Sequence, residues 1–275
     1  MSTRSVPFGD LAREYAAIRA EIDAALGAVL ARGRFVLGEE GEAFEREFAA
    51  WLGVEHAVGC ASGTEAIALA LLALGVGAGD EVVLPANTCV PTAAGIWMTG
   101  ARPVPADVEP GTLLLDPAAV RRAVGPRTKA IVPVHLYGAP ADLGALAELG
   151  IPLVEDCAQA HGARYGGRLV GTFGTLACFS FYPSKNLGAY GDAGAVTTAD
   201  PRLAERLRML RHYGQRTRDV HELEGLNSRL DEVQAAILRV KLRYLDGWNG
   251  RRREIAELYA RELRGVELPQ VTPGG

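Results

Sequence analysis

Residues 56–85, HAVGCASGTEAIALALLALGVGAGDEVVLP, decide the fold. HAVGC (56–60) is a short apolar run that reads as a strand. GTEAIALALLALG (63–75) is apolar nearly all round, which predicts a helix buried on every side. EVVLP (81–85) then reads as a second strand. Strand, buried helix, strand is the repeating unit of an open α/β sheet.

The same alternation continues on both sides. Upstream, Asp10 predicts an N-cap for a helix from about Leu11 to Arg32, and a second helix spans about Glu40 to Leu52 with Gly53 as its stop. Downstream, a helix runs to about Thr99 and stops at Gly100, and RPVPAD forms a strand. Asp116-Pro117 opens a helix as N-cap and first turn. KAIVPVH (129–135) is a strand, ADLGALAELG a helix, and IPLVEDC a strand ending in acid. Strands separated by helices predict parallel pairing with right-handed crossovers. The fold class is therefore α/β, a mostly parallel sheet flanked by helices. Between Gly162 and Thr198 the texture shifts to a hairpin around Gly166-Gly167 and to strands TLACFSFYP and GAVTT. Helix returns at Asp200-Pro201 and again from about Arg229, and GVELPQVTPGG reads as a loop entering a further unit.

The chain has 275 residues, 48% hydrophobic and 23% charged, an ordinary globular balance. A net charge of −4 gives no electrostatic case for nucleic acid or an anionic membrane as partner. Four cysteines, Cys60, Cys89, Cys157 and Cys178, form no CxxC pair and read as free, mostly buried thiols. MSTRSVPFGDLAREY has no signal-type apolar core, and no run reaches the roughly 18 apolar residues that span a bilayer. A cytoplasmic protein is expected. No grouping of His, Cys and carboxylates has metal-ligand spacing, and Arg251-Arg252-Arg253 reads as a solvated helix face.

Three features carry chemistry. In ASGTEA (61–66), Ser62 and Glu65 fit a capping box, and Gly63 lets a ligand approach a helix start whose N–H groups suit a phosphate. A plain capped helix is the alternative. In PLVEDCAQAHGA (152–163), Glu155 and Asp156 stand at the C-terminal end of a strand, the edge where ligands sit in open α/β sheets. Such a carboxylate either caps a helix or holds a proton on a heterocyclic nitrogen. In FSFYPSKNLGAYGDAGAV (179–196), a strand delivers Lys185 into a turn lined by Gly188, Gly191 and Gly194, with Asp192 as its one nearby partner. It is either a solvated loop lysine or a desolvated amine that attacks aldehydes. Phosphate cup, carboxylate and lysine in that order match the three handles of pyridoxal 5'-phosphate. His161 reads as a structural, hydrogen-bonded histidine near this edge, and His135 as a residue packed beside the cleft. His212 and His221 read as loop or helix-end residues.

With those residues in place, the chain resembles the DegT/StrS-type sugar aminotransferases, fold-type I pyridoxal-phosphate enzymes. The stretches are 33–66, 79–92, 127–142, 154–163, 171–196 and 227–242, with coverage from about Phe8 to Tyr259. The resemblance implies that Lys185 binds pyridoxal 5'-phosphate covalently as a Schiff base and moves the reaction's proton. It implies that Asp156 pairs with the pyridinium, that Gln159 lies near the ring, and that Gly63, Thr64 and Ser180 hold the phosphate. Asn227 would reach the phosphate of a neighbouring subunit, giving a homodimer with shared active sites. Arg229 either meets the amino donor's carboxylate or forms a helix-start salt bridge, and Tyr190 or Tyr182 lines the sugar pocket. The implied reaction moves an amino group from glutamate or glutamine to a nucleotide-linked keto sugar, in amino-sugar biosynthesis for a cell-surface polysaccharide or a glycosylated natural product. A sugar dehydratase of the same fold, some of whose members carry histidine in place of the lysine, and a truncated inactive or regulatory member are the alternatives. The resemblance further implies a large cofactor domain over 1–245, with 246–275 as a linking helix and the start of a C-terminal small domain that is largely missing. At Cys89 many members carry an aromatic that stacks on the cofactor, which a thiol cannot do.

Overall fold

The computed structural model describes residues 7, 9–270 and 272. Phe8, where the resemblance begins, lies outside them, as do residues 1–6 of the segment read for a signal and parts of the terminal loop.

Helix α1 (Leu11–Arg32) is capped by Asp10, whose carboxylate accepts the Arg13 N–H, and it ends at Gly33 in the left-handed region with φ 66°. Helix α2 (Glu39–Leu52) follows. Its N-cap, Gly38, has no side chain to offer. The carboxylate of Glu232, far along the chain, accepts the N–H groups of Gly38, Glu40 and Gly41 instead. Then come β1 (His56–Cys60), α3 (Gly63–Ala73), β2 (Glu81–Pro85), α4 (Val90–Trp97), β3 (Arg102–Ala106), α5 (Pro117–Ala123) and β4 (Thr128–Ile131). After a 3-10 turn at Leu136–Gly138 come α6 (Leu143–Ala147), β5 (Val154–Asp156), the hairpin β6 (Arg164–Tyr165) and β7 (Arg168–Leu169), β8 (Leu176–Ser180) and β9 (Gly194–Thr198). Helix α7 (Pro201–Leu210), a second hairpin of β10 (Gln215–Thr217) and β11 (Val220–His221), α8 (Glu232–Leu242) and α9 (Leu245–Glu262) complete the described chain.

Strands β3-β2-β4 pair in parallel, and β5 pairs β8 in parallel. Parallel bridges from Ile131 to Leu153 and from Val134 to Asp156 join the two groups. The pleated order is therefore 3-2-4-5-8-9-1. β9 alone runs against its neighbours, antiparallel to both β8 and β1. The sheet is mostly parallel, as expected, and the one reversed strand has a simple reason. The 181–193 connection contains no helix, and without a crossover element the chain can only return antiparallel.

Four other local expectations shift. The strand from Lys129 ends at Ile131, so His135 lies beyond it, and the helix before Gly100 ends at Trp97. The last helical region starts at Glu232, with Asp231 as its N-cap, rather than at Arg229. The β10–β11 hairpin was not legible, since QRT and VH are short and exposed on all but Gln215.

Period-two alternation in β8 sorts its side chains. Leu176 and Cys178 join the core built on α3, while Ala177 and Phe179 join a second core with Phe44 and Phe48 of α2 and Leu238 of α8. Ser180 therefore faces the α3 side. In β5, Val154 packs on that same side, which puts Asp156 there and Glu155 on the opposite face.

Candidate active site

The register of the central strands assembles the site. Cys60 at the end of β1 and Ser180 at the end of β8 are both paired with Gly194 of β9. The chain leaving β1 into α3 is therefore level with Ser180. The approach is close: a Cβ on Gly63 would lie 2.5 Å from the Ser180 Cβ, and one on Gly194 would lie 2.4 Å from the Ser62 carbonyl carbon. Only glycine fits at either place. Ser62 accepts the Glu65 N–H at 3.2 Å, one half of the expected capping box, whereas the Glu65 Oε2 is buried without a partner among the described residues. The N–H groups of Gly63 and Thr64 belong to the first turn, which has no intrahelical acceptors. Beside the Ser180 hydroxyl they form a half-buried cup of donors at the positive end of the helix.

Asp156 ends β5, 5% exposed. Its Oδ2 accepts from the Thr92 hydroxyl at 2.8 Å and its Oδ1 from the Ala158 N–H at 3.0 Å. The Thr92 hydroxyl lies 2.7 Å from that of Thr88, four residues earlier and just before the α4 N-cap. Because the Thr92 proton goes to the carboxylate, Thr88 donates to Thr92. This relay was not found from sequence, although the Thr-x-x-x-Thr spacing in NTCVPT was its available signal. Burial raises the Asp156 carboxyl above its ordinary value, opposed by the Ala158 N–H, Thr92 and the positive charge of Lys185. Each oxygen keeps a lone pair for a further donor.

Lys185 follows β8 in a turn closed by its own N–H to the Tyr182 carbonyl at 2.8 Å. It is half-buried and forms no ion pair among the described residues, while Asp192 is exposed. The two strand-to-loop segments converge, since β5 pairs with β8 and His161 packs against Phe179 and Phe181, and the Lys185 charge acts on both Asp156 and His161. His161 is buried against Phe179 and Phe181. Neither ring nitrogen makes a well-formed hydrogen bond among the described residues, contrary to the expected hydrogen-bonded histidine, although the Ser180 backbone lies near enough to act against the lowering of its pKa. Burial, reinforced by Lys185, lowers its pKa to about 3. The ring is therefore neutral.

The remaining candidates take definite places. Gln159 Oε1 accepts the Tyr137 N–H at 2.8 Å, pinning a residue held at φ 54°. Tyr190 stacks edge-on against Tyr15 of α1 and lies 4.9 Å from the Lys241 Nζ. Arg229 meets the His212 ring nitrogen at 3.2 Å, and Asn227 is exposed between half-buried Leu226 and buried Ser228. Cys89 is exposed at the start of α4, and the other three thiols are buried and unpaired.

On the opposite face of β5, His135, Glu155 and Cys157 come within reach of a single ion, a grouping that sequence spacing did not show. Their donors are already committed. His135 Nδ1 accepts the Ala141 N–H, so Nε2 carries the proton and donates to Glu155 at 3.0 Å. Glu155 also accepts from the N–H groups of Gly171, Phe173 and Gly174. Burial works to raise its pKa, but His135 and these donors outweigh it and lower the value. Burial pushes the Cys157 thiol well up. The group is a structural tie between β5 and the 171–174 turn.

Donor cup, buried carboxylate and free lysine at one sheet edge fit an aldehyde cofactor carrying a phosphate and a ring nitrogen. The sequence profile of the DegT/DnrJ/EryC1/StrS aminotransferase family matches residues 16–274. The chain belongs to this family. It is 53% identical to dTDP-3-amino-3,4,6-trideoxy-alpha-D-glucose transaminase of Streptomyces venezuelae over 98% of this chain and 73% of that protein. It is 47% identical to UDP-N-acetyl-3-dehydro-alpha-D-glucosamine 3-aminotransferase of Acidithiobacillus ferrooxidans over 96% and 73% of the two chains. The crystal structure of S. venezuelae DesV in complex with a ketimine intermediate superposes with a TM-score of 0.96 at 53% identity, covering 99% of this chain and 75% of DesV. Among the described residues no helix is long and apolar enough to cross a membrane.

Proposed function

We propose that this protein is a pyridoxal-phosphate-dependent aminotransferase that moves an amino group from glutamate or glutamine to a keto sugar carried on a nucleoside diphosphate. The observation that carries the reading is the convergence of Lys185, the Asp156 carboxylate and the Gly63–Ser180 cup at one sheet edge. Both transaminases reported above act, by name, on sugars joined to dTDP or UDP.

When bound, the cofactor supplies an aldehyde carbon and a ring that draws electrons from the reacting carbon. Lys185 is the residue that would hold the cofactor through its Nζ, and the same amine would carry the proton at the reacting carbon. Asp156 keeps the ring nitrogen protonated, and a cationic partner there offsets the burial that raises its own pKa. Thr92 and Ala158 fix the plane of that carboxylate. Gly63, Thr64 and Ser180 bind the phosphate, and Gln159 borders the ring through the turn it pins.

In this reading, residues 1–245 form the cofactor-binding domain and 246–275 a linking segment. The chain works as a homodimer in which exposed Asn227 reaches the phosphate held by a second copy. Arg229 and Tyr190 are the candidates for substrate contact. Lysine at position 185 favours amino transfer over water loss.

Purified protein mixed with pyridoxal phosphate is expected to gain a visible absorption band that is lost in Lys185→Ala. It is also expected to consume more than one equivalent of glutamate or glutamine only when a dTDP- or UDP-linked keto sugar is present. A wild-type band that survives Lys185→Ala sinks the assignment.

A further inference from the structure

The loop that carries Lys185 is held mainly by side chains from the two C-terminal helices rather than by its own backbone. Within the loop, the Lys185 N–H meets the Tyr182 carbonyl and the Ala189 N–H meets the Phe181 carbonyl. Three longer-range contacts add to these. Gln234 Oε1 accepts the Tyr190 N–H at 2.8 Å. Lys241, 1% exposed, donates to the Gly188 carbonyl, pairs with Glu14 of α1 and faces the Tyr190 ring. Asn249, 6% exposed, has an Oδ1 that accepts from the Asn186 Nδ2 at 2.8 Å and an Nδ2 that donates to the His161 carbonyl at 2.6 Å.

Asn249 is the informative member. A carbonyl can only accept, so the amide group of Asn249 must face His161, and its oxygen is then left for Asn186. The side chain thereby ties the residue after Lys185 to the segment that follows Asp156. The tie leaves no room to spare: Gly162 sits at φ 96°, and a Cβ there would lie 2.7 Å from the Asn249 Nδ2. We propose that Asn249, seconded by Lys241, is a positioning residue that sets the distance between the Lys185 loop and the Asp156 segment. A lysine side chain has four rotatable bonds, so the place of its amine depends on where its backbone is held. Catalytic groups lose much of their effect when displaced by about 1 Å. The proposal rests on the functional reading above only in giving that distance a purpose.

Hydrogen exchange on the protein without added cofactor tests it. In Asn249→Ala, the Lys185 and Ala189 amides are expected to exchange about tenfold faster, the effect of losing roughly one hydrogen bond, with β8 and β9 unchanged. Asn249→Asp keeps the acceptor for Asn186 but loses the donor to His161. It is expected to loosen 160–163 while leaving Lys185 protected. Lys241→Met is expected to speed exchange at Ala189 alone. Unchanged protection in Asn249→Ala, or a uniform rise across the sheet, overturns the proposal. A second readout is the pH titration of the visible band with pyridoxal phosphate bound, whose midpoint is expected to move in Asn249→Ala. If wild type shows no band, the functional reading fails, whereas the clamp is decided by the exchange data.

Discussion

His161 gives the sharpest test of the site's electrostatics. In the unfolded chain its imidazole takes a proton near the ordinary value of about 6.5. In the folded protein burial and the Lys185 charge hold that step down to about 3. Between these two values the unfolded state binds the extra proton, so stability from this group is present above pH 6.5 and is lost as pH falls towards 3. The slope approaches 1.4 kcal/mol per pH unit, and at pH 5 the loss is about 2 kcal/mol. For a chain of this size that corresponds to roughly 4–8 °C in Tm. Asp156 works in the other direction, since its raised carboxyl favours the folded state on acidification. It is common to wild type and variant, so it cancels in their difference. The perturbation is His161→Leu, and the assay is urea unfolding at pH 8, 7, 6 and 5. Because neither ring nitrogen makes a well-formed hydrogen bond among the described residues, the variant loses little polar contact and should be about as stable as wild type at pH 8. At pH 5 it should exceed wild type by about 2 kcal/mol beyond any difference at pH 8. Parallel pH profiles for the two proteins would refute the reasoning.

Three further outcomes follow from the geometry. Thr92→Val removes the hydroxyl donor to Asp156 and should weaken pyridoxal phosphate binding about tenfold, measured by fluorescence titration, and cost about 1–3 kcal/mol of apo stability. An unchanged Kd counts against the Thr88–Thr92 relay. Gly63→Ala places a methyl 2.5 Å from the Ser180 Cβ and should abolish phosphate retention while unfolding cooperatively, as read by gel filtration and cofactor absorbance. Glu232→Ala strips three N–H groups at the start of α2 of their acceptor and should cost about 2–4 kcal/mol in denaturant unfolding. Retained stability there would mean that water replaces the carboxylate.

The α/β class, nearly all strands and helices, and the short motifs that carry the three proposed cofactor handles were legible in sequence because each rests on local chemistry. Apolar runs set the strands, Asp-Pro and Ser-x-x-Glu set the helix starts, and strand ends place acid or lysine at the sheet edge. What sequence could not supply was anything decided by residues distant along the chain. Glu232 capping α2, Thr92 on Asp156 and Asn249 bridging two loops each join segments 64 to 194 residues apart or cross between elements. A side chain shows no local pattern for a partner so far away. The reversed β9 was decided by the lack of a crossover helix in the Lys185 connection, and that reversal lets Gly194 bring Ser62 and Ser180 level. The residue types of the site are thus written in short motifs. Their meeting point is set by strand register and by close packing at two glycines, which only the folded chain brings together.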